Sequence, residues 1–224
     1  MLNIQKENFF QTKYGIFICE DARIILPQIE SQSIDIIITD PPYQKEKQKL
    51  LFNVPKDYGN LNLVFELEDE FWRVLKKDSW LIMFWGVKNL KEAFKFKKFE
   101  YVWQLIAIFP SSFSKCTLGD RKYFIILVFK KGNPKVVFKR ADILYSEELP
   151  FIQIPIKKPD FKPTGINARL IQMFSKKNDT ILDPFAGWGS LQKVCEMFER
   201  KWIAIEKDRE RFEAAKKFIE TGEF

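Results

Sequence analysis

Short apolar runs alternate with helix-length amphipathic segments along this chain, and few folds satisfy that alternation. The apolar runs lie at about 14–19, 34–39, 79–85, 101–109, 121–130, 179–183 and 201–206. Helical spacing marks about 61–77, 87–97, 164–176, 189–199 and 208–220. In the first of these, Leu63, Leu67, Phe71 and Val74 form one stripe. Its acidic residues, Glu66, Glu68, Asp69 and Glu70, precede Arg73, Lys76 and Lys77, the order a helix dipole favours. Strands separated by helices predict an α/β fold: a seven-stranded, mostly parallel sheet with helices on both faces. Only a loop separates the runs at 101–109 and 121–130, so they are expected to form an antiparallel pair at one sheet edge.

A length of 224 residues suits a single domain over 1–224, and 46% apolar residues can fill its core. No apolar run approaches the roughly 20 residues of a spanning helix. The first residues lack the apolar stretch of a signal peptide, so a cytoplasmic protein is expected. There is no histidine, and Cys19, Cys116 and Cys195 are far apart. No metal is therefore expected, and mechanisms needing a histidine base are excluded. The net charge of +7 suits an anionic partner, nucleic acid being the commonest.

In open parallel sheets ligands bind beyond the carboxyl ends of the strands. Four expected strands end in acids: Glu20 with Asp21, Asp40, Asp183, and Glu206 with Asp208. Such an edge suits a ligand rich in ammonium, hydroxyl and amine donors. Asp40-Pro41-Pro42-Tyr43 follows the run Ile34–Thr39. Its prolines fix φ and remove two backbone donors, leaving the Asp40 carboxylate and the Pro41 carbonyl as acceptors beside a ring. That set suits a planar NH2 group held against an aromatic face. Asp183-Pro184-Phe185-Ala186-Gly187-Trp188-Gly189 follows Thr180-Ile181-Leu182. Its glycines let backbone approach a ligand closely. Position 192 is Gln, so the third glycine of a dinucleotide fingerprint is missing, and there is no Gly-Lys-Ser/Thr phosphate loop. Glu206, after Trp202–Ile205, is placed to accept from ribose hydroxyls.

On these residues the chain resembles the β-class amino-methyltransferases. These are S-adenosylmethionine-dependent DNA enzymes that modify adenine at N6 or cytosine at N4. The resemblance makes Asp40, Pro41, Pro42 and Tyr43 the catalytic motif. It makes Asp183, Phe185, Ala186, Gly187, Gly189 and Ser190 the cofactor loop, and Glu206 the ribose-binding carboxylate. Asp21 and Ala22 resemble the segment beside the cofactor's adenine. Lys162-Pro163 falls where the family has a Lys-Pro pair ahead of the loop, so Lys162 is an implied cofactor contact. The order of motifs discriminates further: the catalytic motif at 40 precedes the cofactor loop at 183. Enzymes acting on RNA or protein with a similar Pro-Pro-aromatic motif place the cofactor loop first. Trp188, where a small residue is usual, and Ser190, where Thr is common, depart from the pattern. So does Lys158-Pro159-Asp160-Phe161-Lys162-Pro163, which stands for His-Pro-Thr-Gln-Lys-Pro.

The resemblance implies a Rossmann-like, circularly permuted domain, S-adenosylmethionine as cofactor, double-stranded DNA with a flipped target base, and a homodimer. It places a short target-recognition excursion at about 131–161, with the loops at 44–60 and 110–120 sharing sequence reading. Lys45, Lys47, Lys49, Ser111, Ser112, Lys115 and Arg121 are the expected DNA contacts. Tyr43 would stack on the flipped ring while Asp40 and the Pro41 carbonyl accept from its amine. Asp183 would hold the cofactor's ammonium or its close neighbourhood. Asp at position 40 favours adenine, because cytosine members more often carry Ser there. Cytosine N4, an RNA or protein substrate, and a non-catalytic DNA-binding subunit remain the alternatives.

Overall fold

A computed structural model of the chain describes residues 5–42, 61–109, 115–116, 118–146 and 161–224. Its main sheet has nine strands in the order β1-β2-β11-β10-β3-β4-β8-β5-β9. In chain order these are β1 (Phe9–Gln11), β2 (Gly15–Ile18), β3 (Ile34–Thr39), β4 (Leu75–Trp85), β5 (Glu100–Ile108), β8 (Tyr123–Lys131), β9 (Ile143–Tyr145), β10 (Thr180–Asp183) and β11 (Lys201–Ile205). Two further strands, β6 (Lys115–Cys116) and β7 (Gly119–Asp120), make a separate small ribbon.

All seven expected strands are present, and the neighbours from β2 to β4 are parallel. Two three-residue edges take the sheet to nine. β1 pairs antiparallel with β2, and β9 pairs parallel with β5. The expected antiparallel pair, β5 with β8, therefore sits one strand in from the edge. β8 is antiparallel to β4 as well.

The helices are α1 (Ala22–Ile25), α2 (Asn62–Glu66), α3 (Glu68–Val74), α4 (Thr164–Phe174), α5 (Ser190–Met197) and α6 (Arg209–Thr221). The helix expected over 61–77 is divided at Leu67 and ends at Val74, where β4 begins. Lys76 and Lys77, which fit a helix surface, instead lie at the start of that strand, Lys77 exposed and Lys76 half-buried and ion-paired with Asp35. The segment expected as an α-helix at 87–97 is 3-10 helix over Val87–Lys95, with non-helical backbone at Asn89.

Both sheet faces are covered, which explains the nearly continuous apolar strands. In β4, Trp80, Ile82 and Phe84 join one core cluster with Ile166 and Leu170 of α4, Leu191 of α5 and Phe212 of α6. Leu81, Met83 and Trp85 point the other way, to a cluster containing Ile25 of α1, Leu63 of α2 and Phe71 of α3. The strand period of two thus divides one strand between two cores. Gly165 has a packing reason: a β-carbon there would lie 2.6 Å from the Ser146 carbonyl oxygen, so α4 passes β9 only without a side chain.

Candidate active site

The parallel strands β2, β11, β10 and β3 end along one side of the sheet, and a cleft opens there. It encloses about 1160 Å³, counted out to its open mouth. The acidic ends Glu20, Asp21, Asp40, Asp183 and Glu206 all line it.

Asp183 ends β10 and is buried. Its Oδ1 accepts from the Thr39 hydroxyl at 2.7 Å and the Phe185 amide at 3.2 Å. Its Oδ2 accepts from the Gln192 side-chain amide at 2.9 Å. All three donors are neutral. Burial pushes its pKa up to about 6 against the pull of those hydrogen bonds, and the nearby charge of Asp40 adds to the rise. Gln192 is the residue that breaks the dinucleotide fingerprint. Here it grips the carboxylate that opens the loop.

The loop after Asp183 is fastened to the neighbouring strand. The Ala186 amide donates to the Ile205 carbonyl at 2.9 Å, and the Gly187 amide donates to Glu206 Oε2 at 2.8 Å. Glu206 Oε1 accepts from the Asp208 amide at 2.9 Å. Burial raises the Glu206 pKa, opposed by these two backbone donors and the charge of Arg211. Gly187 has φ +54, and a β-carbon there would meet only Arg211 Nη1, at 3.8 Å, so the backbone faces the cleft. Gly189 differs. It does not line the cleft, and a β-carbon there would lie 3.0 Å from Ala215 Cβ and 3.2 Å from Ile219. The sequence suggested ligand approach at both glycines; at Gly189 the requirement is packing of α5 on α6, at φ +77. Trp188 lines the cleft and is accommodated by Arg211, 5.0 Å from its ring centroid, and by Phe224, edge-on at 5.8 Å.

Asp40, Pro41 and Pro42 follow β3 into the same cleft. Asp40 Oδ2 is ion-paired with Lys162 Nζ, while Oδ1 is buried and has no hydrogen-bond partner among the described residues. The Lys162 ammonium also lies over the rings of Phe84 and Phe124, at 5.6 and 5.4 Å from their centroids. Its backbone carbonyl accepts from Ser190 Oγ at 2.5 Å. Lys162, expected as a cofactor contact, therefore bridges the two motifs: its side chain holds Asp40 and its backbone is held by the cofactor loop.

The other expected residues fall as follows. Ala22, Phe185, Ala186 and Ser190 line the cleft. Asp21 lines it too, but its carboxylate caps α1 and binds Arg23 Nη2 at 2.7 Å, and that bond lowers its pKa. Arg121 stacks on Phe124 at 5.5 Å. Tyr43, Lys45, Lys47, Lys49, Ser111, Ser112 and the side chain of Lys115 lie outside the described residues. So do residues 147–160 of the expected recognition excursion, whose earlier part contributes β9. Sequence reasoning missed Thr39, Gln192 and Asn167 as site residues. The first reads as the end of an apolar run, and the other two lie on helices chosen for their apolar stripes.

The cleft suits a donor-rich nucleoside cofactor. It has a buried carboxylate with only neutral partners, a backbone position open to close approach, and a strand-end glutamate with lone pairs to spare. A family model described as DNA methylase, of the N6/N4 methyltransferases, matches residues 34–217. Type II methyltransferase M.HpaI of Haemophilus parainfluenzae is 29% identical over 245 residues, covering 91% of this chain and 74% of that protein. PvuII DNA methyltransferase, described as cytosine-N4-specific, superposes with TM-score 0.72 at 19% identity, over 93% of this chain and 87% of that one. M1.HpyAVI in complex with SAM gives 0.68 at 20% identity, over 92% and 98%.

Proposed function

The chain belongs to the N6/N4 DNA methylase family, and on that premise we propose that it transfers a methyl group from S-adenosylmethionine to N6 of a flipped adenine in double-stranded DNA. That it is an S-adenosylmethionine-dependent DNA methyltransferase follows from the family. The choice of adenine, the site residues and their roles are our own reading.

One observation carries it: the strand-end carboxylate Asp40, with one oxygen neutralised by Lys162 and the other buried and without a partner among the described residues. An unpaired buried acceptor is costly unless something fills it. The exocyclic NH2 of the target base is a neutral donor suited to that acceptor, and a carboxylate rather than a hydroxyl at position 40 is what favours adenine over cytosine. Its lone pair is delocalised into the ring, which makes it a poor nucleophile. Acceptance of an amine N–H by Asp40 Oδ1 favours the tetrahedral nitrogen needed for attack and offsets charge developing on it. Lys162 compensates the charge of that carboxylate. The Pro41 carbonyl supplies a second acceptor, and Tyr43 stacks on the base. Base flipping is required because the amine must reach a buried methyl donor.

On the cofactor side, Glu206 binds the ribose hydroxyls and Asp183 faces the ammonium end. Gly187 lets the backbone lie against the ligand. When bound, S-adenosylmethionine supplies an electrophilic methyl on a sulfonium. The Lys45, Lys47, Lys49 segment and Arg121 track phosphates, so DNA affinity should fall steeply with salt.

Incubation with labelled S-adenosylmethionine and DNA, followed by nucleoside analysis, tests the choice of base. N6-methyladenine is expected. The likeness to PvuII methyltransferase favours cytosine N4 as the second reading, and N4-methylcytosine would establish it instead.

A further inference from the structure

Asn167, on the first turn of α4, is 2% exposed and lines the cleft. Its side-chain NH2 donates to Ser190 Oγ at 2.9 Å, and Ser190 Oγ donates to the Lys162 carbonyl at 2.5 Å. These two bonds fix which way the amide points. A hydroxyl has one proton, and Ser190 gives it to a carbonyl that has none. Ser190 is thus an acceptor toward Asn167, so the NH2 faces Ser190. The amide oxygen of Asn167 is left buried with no hydrogen-bond partner among the described residues. Ser190 stands two residues before Gln192, which grips Asp183. Asn167 is therefore tied to the cofactor side of the cleft.

Asp183 alone cannot satisfy an ammonium group. An ionised carboxylate offers about four acceptor sites, and Thr39, Phe185 and Gln192 already take three. An ammonium brings three donors, so at least two further acceptors are required. We propose that Asn167 is a binding residue for the amino-acid end of S-adenosylmethionine, its side-chain oxygen accepting from the ammonium beside Asp183. This rests on the cofactor assignment above, not on the choice of base.

Titration calorimetry on the full chain tests it with two probes: S-adenosylhomocysteine, and methylthioadenosine, which keeps the nucleoside and lacks the amino acid. Asn167→Leu should weaken S-adenosylhomocysteine about tenfold or more and leave methylthioadenosine within about twofold. If Asn167→Leu does not fold, Asn167→Ala takes its place with the same expected selectivity. Equal losses for both probes, or no loss for either, would overturn the proposal. A wild-type chain that binds neither probe would overturn the cofactor assignment with it.

Discussion

Asp40 and Asp183 end adjacent strands, β3 and β10, yet their surroundings are opposite. Among the described residues, Asp40 has a cation on one oxygen and no hydrogen-bond partner on the other. Asp183 has both oxygens hydrogen-bonded by neutral groups and no cation paired with it among the described residues, and its pKa rises to about 6. A carboxylate whose charge is already balanced suits a neutral donor such as an amine. One that is buried without compensation suits a ligand that brings its own positive charge. On the function proposed above, two aspartates of identical chemistry thereby serve two ligands, the target base and the cofactor.

The largest expected effect comes from removing the balanced carboxylate. Asp40→Ala should reduce methyl transfer at saturating cofactor by at least about 10³-fold, measured in a single turnover. Removing the balancing cation should cost less. Lys162→Met should lower the turnover rate about 100-fold, mainly through kcat and with little change in the KM for DNA. Lys162→Arg should recover part of it.

The uncompensated carboxylate has a pH signature. The folded protein takes up a proton on Asp183 near pH 6, whereas in the unfolded chain the group ionises near 3.8. Its burial penalty is therefore present above pH 6 and relieved as the pH falls toward 4. Across that window it should raise stability by about 3 kcal/mol. Asp183→Asn should remove this contribution, as checked by denaturant unfolding of both proteins between pH 4 and 7. The smallest effect belongs to the frame around the loop. Gly189→Ala forces a β-carbon against Ala215 at positive φ and should lower stability by about 1–3 kcal/mol, read as a fall in Tm.

The contrast between the two aspartates was half legible in the sequence. Strand ends are readable because β-branched runs such as Ile34–Thr39 stop at an acid followed by proline, and that places both carboxylates on one edge. Their partners are not readable. Lys162 lies far along the chain from Asp40, and no local pattern connects them. Gln192 and Asn167 are buried polar residues on helices whose buried positions are mostly apolar, so periodicity assigns them to the core. The same limit applies to the fold. The seven long strands carry their own signal, whereas β1 and β9 are three residues each and exist through pairing with β2 and β5. The end of α3 at Val74 was hidden because Lys76 and Lys77 suit a helix surface as well as a strand start.

The division of labour is tested most directly by measuring S-adenosylhomocysteine affinity for Asp40→Ala and Asp183→Asn side by side at pH 7.5. Asp40→Ala should bind within about twofold of the wild-type chain, and Asp183→Asn should bind about tenfold or more weakly. Equal losses in both, or a loss confined to Asp40→Ala, would contradict the assignment of one carboxylate to the base and the other to the cofactor.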